Sequence, residues 1–299
     1  MDLTPLRQRL LTALAGDPEG APPWVLRLSE GDDEGYFPED GAAWTVHAGT
    51  ATLIAGIRAL LVQALHPGAL AGVHDFSRYR EDPLGRLAGT VRWVISVTYG
   101  STEQADAETA RVGRFHQRVK GTYESTEGRA VPYSAADAEL VEWVHLAFAD
   151  AFLTSHRTYG GPIPGGPDAY VAEWATAGRL MRVKEPPRTA DELARALESY
   201  RVRGILQGGP RVDDVVRFLR RPPVDGGMAL GYRLFFAAAV ATIPKELRRL
   251  LGVRRSVLPV VTLTRAVLPL VARVLESGGP RAHDRAHERI RRVRSNASG

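Results

Sequence analysis

Ala51-Thr-Leu-Ile-Ala-Gly-Ile-Arg58-Ala-Leu-Leu-Val-Gln63-Ala-Leu-His66-Pro67 decides the fold. Wound as a helix, this stretch is apolar almost all round, with only Arg58 and Gln63 interrupting, and it stops at His66-Pro67, where the proline pushes the preceding residue out of the helical region. A helix that is apolar on every side belongs in the interior. The rest of the chain must therefore supply the helices that cover it. Helical spacing recurs from about Thr45 to Leu275, strand-type alternation is scarce, and no fixed-period repeat is present. The 299 residues, 44% of them hydrophobic, are enough to bury about three quarters of the extended chain's surface. The expected fold is all-α, a single multi-helix bundle.

Working outward, a helix over Leu84–Tyr99 puts Arg86, Gly89, Thr90 and Trp93 on one stripe. The next has the clearest ends. Ser101-Thr102-Glu103-Gln104 offers a capping box, Asp106 and Glu108 lie early, Arg114, Arg118 and Lys120 lie late, and Gly121 closes it. Val112, Phe115, His116 and Val119 then share its inward face. A further helix starts near Ser134–Asp137 with Val141, Val144, His145, Phe148 and Phe152 on its apolar face, and the Pro/Gly run from Gly160 to Pro167 ends this half. Later helices are expected near Asp168–Arg182, Thr189–Ser199, Asp213–Leu219, Gly227–Thr242 and Val257–Leu275. Residues 1–43, punctuated by Pro22-Pro23, Gly31-Asp32-Asp33 and Gly35, read as a lead-in or lid. Residues 44–276 read as one domain and 277–299 as a basic tail.

The 39 Lys plus Arg against 34 Asp plus Glu leave a mild +5, and the densest positive run, Arg281–Arg294, is C-terminal. No nucleic-acid motif accompanies it, so no nucleic-acid partner is expected. With no cysteine, disulfides, thiolate zinc, iron–sulfur clusters, thiolate-ligated haem and covalent c-type haem are excluded. Asp2, Arg7 and Arg9 break any secretory signal, which points to the cytoplasm. The apolar stretch Val257–Leu275 contains Pro259, Arg265, Pro269 and Arg273, which suits a peripheral membrane contact better than a transmembrane span.

The chemistry-bearing candidates are the inward histidines His116 and His145. Neutral imidazole is a metal ligand and a proton shuttle, and burying it unpartnered costs free energy. Either histidine could equally be a core residue bonded to backbone. There is no HExxH, Walker loop or G-x-S-x-G elbow, and the Gly160–Pro167 run is unsuited to a dinucleotide turn. His283 and His287 sit in the charge pattern of a solvated helix. Trp93, Trp143 and Trp174 read as core. Arg86, Arg114 and Lys120 suit carboxylate binding or ordinary surface pairing.

The ordered set Gln63-Ala-Leu-His66-Pro67, Gly72-Val73, Arg86-x-x-x-Thr90, His116-x-x-Val119-Lys120-Gly121, Tyr133-x-Ala135, Trp143-Val144-His145 and Ile243-Pro244-x-x-Leu247-Arg248-x-x-Leu251-Gly252 resembles the MpaB/rubber-oxygenase (latex-clearing protein) catalytic domain family. The resemblance runs from about Trp44 to Gly252. It implies a globin-like core holding non-covalent haem b, with His116, the histidine of the family's H-x-x-V-[RK]-G motif, as iron ligand. Arg86 and Thr90 map to the distal side. Where rubber oxygenases can carry a lysine as sixth iron ligand, just before the threonine, this chain has Gly89. The family's frequent histidine-serine pair after Gly-Val is also altered, to His74-Asp75-Phe76-Ser77.

From the resemblance the expected function is a haem b-dependent oxidoreductase, an oxygenase using dioxygen or peroxide on an intracellular lipophilic small molecule, with an open or water-bound distal site. Arg86, Lys120 and Arg114 would meet haem propionates or the oxygen ligand, Thr90 would hydrogen-bond iron-bound oxygen, and His145 would stand behind as a supporting or backup ligand. The alternative is a non-catalytic haem carrier or sensor. A third reading is a helical interaction protein whose basic tail meets an acidic partner or a membrane surface.

Overall fold

A computed structural model of the chain describes residues 4–76, 83–125, 127–221, 226–277 and 281–298; within these, the side chains of 5, 6, 13, 14, 83–87, 226 and 227 are not described. In chain order the helices are α1 (Thr4–Ala15), α2 (Pro23–Leu26), α3 (Ala42–Ala48), α4 (Thr52–Gln63), α5 (Pro67–Phe76), α6 (Pro83–Tyr99) and α7 (Thr102–Arg118). After a hairpin of β1 (Lys120–Glu124) and β2 (Ala130–Ser134) come α8 (Ala138–Tyr159), α9 (Gly166–Leu180), α10 (Ala190–Val202), α11 (Pro210–Arg220), α12 (Gly226–Thr242), α13 (Lys245–Leu250), α14 (Val260–Glu276) and α15 (Ala282–Ala297). The fold is all-α, with this antiparallel hairpin, Lys120 opposite Ser134, as its only sheet among the described residues.

The helix over the opening stretch, α4, is central as its composition requires. It packs lengthwise on α8, with α12 and α11 against other sides. Ile54, Leu61, Val62, Trp143, Leu146 and Ala147 are all fully enclosed. The charge that interrupted the apolar run is accounted for: Arg58 is buried, and its Nη1 donates to Asp150 Oδ2 of α8 at 2.5 Å. One stripe of α4, Leu53, Gly56, Leu60 and Gln63, is only half-buried.

α6 and α7 form an antiparallel helical pair. Ser101 caps α7 by accepting from the Gln104 N–H at 3.3 Å. The reciprocal half of the expected box is absent, because the Gln104 amide instead donates to Trp24 O at 2.8 Å, and Asp33 accepts from the Thr102 N–H. The lead-in thus supplies part of the cap. At its other end α7 stops at Arg118, earlier than Gly121 suggested. Val119 is extended (φ −86°, ψ 102°), and its side chain packs with Ala71, Tyr133 and Leu140 in a small second core. Lys120 therefore opens a strand and is not the last turn of a helix.

The C-terminal basic run is an ordered helix. In α15, Ala286, Arg289 and Ile290 are fully buried at positions three and four apart. Arg289 donates to the carbonyls of Leu28, Asp33 and Glu34, while Arg292 donates to those of Ser29 and Gly31. Arg294 pairs with Glu34 and Glu39. The last helix is thereby bolted to the lead-in. Among the described residues no single helix is long and apolar enough to cross a membrane; α3 and α4 reach that length only together, across a 94° bend.

Candidate functional site

The α6–α7 pair sets the site's frame. Glu108, nearly buried, accepts from Arg92 of α6 and Arg111 of α7, and Trp93 Nε1 donates to Thr109 Oγ1 at 3.3 Å. A carboxylate gripped by two guanidiniums fixes how the helices slide past each other. Continuing that antiparallel register away from the connecting turn brings Gly89 level with Gly113 and Thr90 level with Val112. Both glycines are half-buried, yet a Cβ built on either meets no heavy atom within 4 Å. Gly56 on the half-buried stripe of α4 behaves the same way. Open places thus occur on α4, α6 and α7.

His116 lies one turn after Gly113 on the same face of α7 and is half-buried. Its position is held from the C-terminal side by the Val119 cluster and by the Ala135 N–H donating to Val119 O at 2.9 Å. Thr90 is half-buried on α6, while Arg114 and Lys120 are exposed. The side chain of Arg86 lies outside the described residues. Of the predicted set, then, His116 and Thr90 lie on paired helices beside the two open glycines. Arg114 and Lys120 sit at the outer edge of the same region.

His145 is placed differently. It is buried on α8 and its ring packs against α9, so that a Cβ at Gly178 would come within 2.9 Å of its Cε1 and Nε2. Burial lowers its pKa to about 4, so the imidazole is neutral. It faces a neighbour other than the α6–α7 pair.

Three further buried histidines, His47, His66 and His156, had no role assigned from sequence. His47 of α3 lies between Trp174 and Phe152, with ring centroids 4.4 and 5.0 Å away. Thr98 Oγ1 donates to Val94 O, so it accepts from His47 Nδ1 at 2.8 Å; Nε2 is left to accept from Tyr170 O–H at 3.2 Å. Burial, with a smaller effect of His156, lowers the His47 pKa to about 3. Trp174 also meets Trp93 edge-on and stacks on Phe148, so this aromatic group reaches the α6 face of the site. His66, fully buried, accepts from the Gly68 N–H at 3.2 Å and keeps Nε2 without a partner; burial lowers its pKa to about 4. No sequence signal ties His47 to Thr98 and Tyr170, since the partners are 51 and 123 residues away.

Residues 44–276 match the family described as ER-bound oxygenase mpaB/B'/rubber oxygenase, catalytic domain. The chain belongs to this family. The match covers well over half of its length and includes both paired helices of the site. No curated protein and no solved structure matches the chain. Family membership carries an oxygenase-type catalytic domain, and with it dioxygen and a substrate as partners.

The donor set suits the haem that the resemblance implies. A macrocycle brings four nitrogen donors of its own and would ask the protein for an imidazole and for room beside it. His116 would supply the imidazole, and Gly113 and Gly89 leave their own Cβ positions open on the same pair of helices. Among the described residues no three His, Cys, Asp or Glu side chains converge as a ligand group.

Proposed function

We propose that this family member is a haem b-dependent oxidoreductase, an oxygenase acting on a lipophilic small molecule, with His116 as the iron's protein ligand. The observation that carries the reading is a half-buried imidazole, anchored at the end of α7, on the same helix face as a glycine with open space before it. When bound, haem supplies the redox chemistry toward dioxygen or peroxide.

The chain's own side chains have separable tasks. Thr90 of α6 would offer a hydroxyl toward the bound group. With Gly89 in place of a lysine, no ammonium from that position competes for it. Arg86, Arg114 and Lys120 supply positive charge for carboxylates at the outer edge. Leu53 and Leu60 of α4, Val73 of α5 and Phe148 of α8 are half-buried apolar groups that suit a prenyl or fatty acyl chain and exclude water. His145 of α8, packed against α9, supports α8 from behind and is not needed as an iron ligand in this reading.

The test is an absorption spectrum of purified protein after haem supplementation. The expected result is a Soret band that His116→Ala abolishes and His145→Ala leaves largely unchanged. Substrate-dependent oxygen uptake with prenyl or acyl probes then establishes catalysis. A protein that shows no Soret band, or one that loses it only on His145 replacement, overturns the ligand assignment. A normal haem spectrum without oxygen uptake on any such probe overturns the oxygenase and favours a carrier or sensor.

A further inference from the structure

A second concentration of positive charge lies outside the C-terminal run. Between Arg217 and Arg273 the sequence holds eleven Lys and Arg and two Asp and Glu, a net +9 against +5 for the whole chain. Within this segment, Arg220, Arg233 and Arg254 border a groove of about 210 Å³ whose floor is Phe236, Ala237 and Val240. None of the three makes an ion pair among the described residues; Arg220 lies instead over the Phe236 ring at 5.6 Å. Three guanidiniums held around one depression repel one another, which favours an anion there.

Next to this groove in the chain stand exposed apolar residues where solubility would ask for polar ones. Ser256 lines it, and the next two residues, Val257 and Leu258, are 101% and 62% exposed. Leu230, one turn before Arg233 on α12, is 71% exposed. Leu263 and Leu270 are exposed two turns apart on α14, which packs on α12. Exposed aliphatic side chains near arginines that make no ion pair among the described residues are the makings of a surface that enters a lipid interface. A nucleic acid would satisfy the arginines and gain nothing from Val257 and Leu258.

We infer that the surface formed by the Arg220–Arg233–Arg254 groove and the Val257–Leu258 loop docks on an anionic lipid bilayer, the arginines taking headgroup phosphates or carboxylates and the loop entering the acyl region. Arg289, Arg292 and Arg294 of α15 take no part, because their guanidiniums are already held by lead-in carbonyls and carboxylates.

The test is vesicle co-sedimentation of the full chain with phosphatidylcholine alone and with 30% phosphatidylserine. Binding is expected only to the anionic vesicles and is expected to fall steeply at 0.5 M salt. Each arginine is worth about fivefold in binding, so Arg220→Gln/Arg233→Gln/Arg254→Gln should weaken it about a hundredfold, and Val257→Ser/Leu258→Ser at least tenfold. All five positions are on the surface, and an unchanged circular dichroism spectrum confirms folding. Because the chain has no cysteine, Val257→Cys carries a single environment-sensitive dye, whose emission should shift to the blue on anionic vesicles. Equal binding to both vesicle types, no binding to either, wild-type binding by both variants, or an unshifted dye on bound protein each overturns the proposal. Saturable inorganic phosphate binding without vesicle binding would show a small-anion site instead.

Discussion

Replacing Asp150 by alanine should be the most damaging single change in the α4–α8 interface. Arg58 is 2% exposed, and its Nε has no partner, so its charge is compensated chiefly by the 2.5 Å contact of Nη1 with Asp150. Taking that carboxylate away leaves a guanidinium in the interior, which costs about 3–5 kcal/mol. A domain is stable by only about 5–15 kcal/mol. At roughly 2 °C per kcal/mol for a chain of this size, the melting temperature should drop by roughly 6–10 °C. The reverse change is milder. Arg58→Met keeps most of the volume and leaves Asp150, a quarter exposed and still accepting from Thr154 at 3.1 Å, able to reach water; a loss of about 1 kcal/mol is expected. Arg58→Met with Asp150→Ala removes both charges and should recover most of the Asp150→Ala loss. Urea denaturation of the wild type, singles and double measures the cycle. If Asp150→Ala costs less than about 1 kcal/mol, or the double mutant loses the sum of its singles, the pair does not pin α4 to α8.

Acid should destabilise the fold through its buried histidines: His47, His66 and His145 have pKa values lowered by burial to about 3, 4 and 4, so the unfolded chain takes up protons below about pH 6.5 while the folded one does not. Their stabilisation is complete above pH 6.5 and falls between about 6.5 and 4 by up to ~1.4 kcal/mol per pH unit for each; melting temperatures that stay flat from pH 7 to 5 would refute this. Gly113→Ala should stabilise the haem-free protein by about 1 kcal/mol through helix propensity, since its Cβ meets nothing, and Gly113→Leu should weaken haem retention at unchanged fold. Equal haem titrations of wild type and Gly113→Leu would move the cofactor elsewhere. Arg289→Ala should free three lead-in carbonyls and speed proteolysis between Leu28 and Glu39; unchanged cleavage rates would show that Arg292 and Arg294 suffice.

The sequence was legible where one physical cause dominated. An all-round apolar stretch can only be interior, and α4 is; a serine ahead of acidic residues and a late arginine mark a helix, and α7 follows. The misreading at Gly121 arose because a glycine after a basic turn is also what a helix end looks like, whereas the actual end is set by Val119 finding Ala71 and Tyr133. In α15 the arginines and histidines concealed a buried seam of three residues, since Arg289 counts as surface until backbone carbonyls from residues 28–34 are placed around it. His116 was legible as a helix-face residue, but its half-burial depends on how α6 aligns, which Glu108 fixes through partners on two helices. The network around His47 joins α3, α6 and α9, and no local pattern carries that information.

The bond from Arg289 to Leu28 spans 261 residues. A growing chain emerges from its amino end, so residues 28–34 wait, without their partner, until α15 has been made. Whatever those residues do meanwhile, the native arrangement closes last and closes as a ring, because Asp33 from the same stretch also caps α7. Freshly synthesised protein should consequently stay sensitive to chaperones and proteases until α15 arrives, and fusions that crowd that helix should lower yield more than equal fusions at exposed loops.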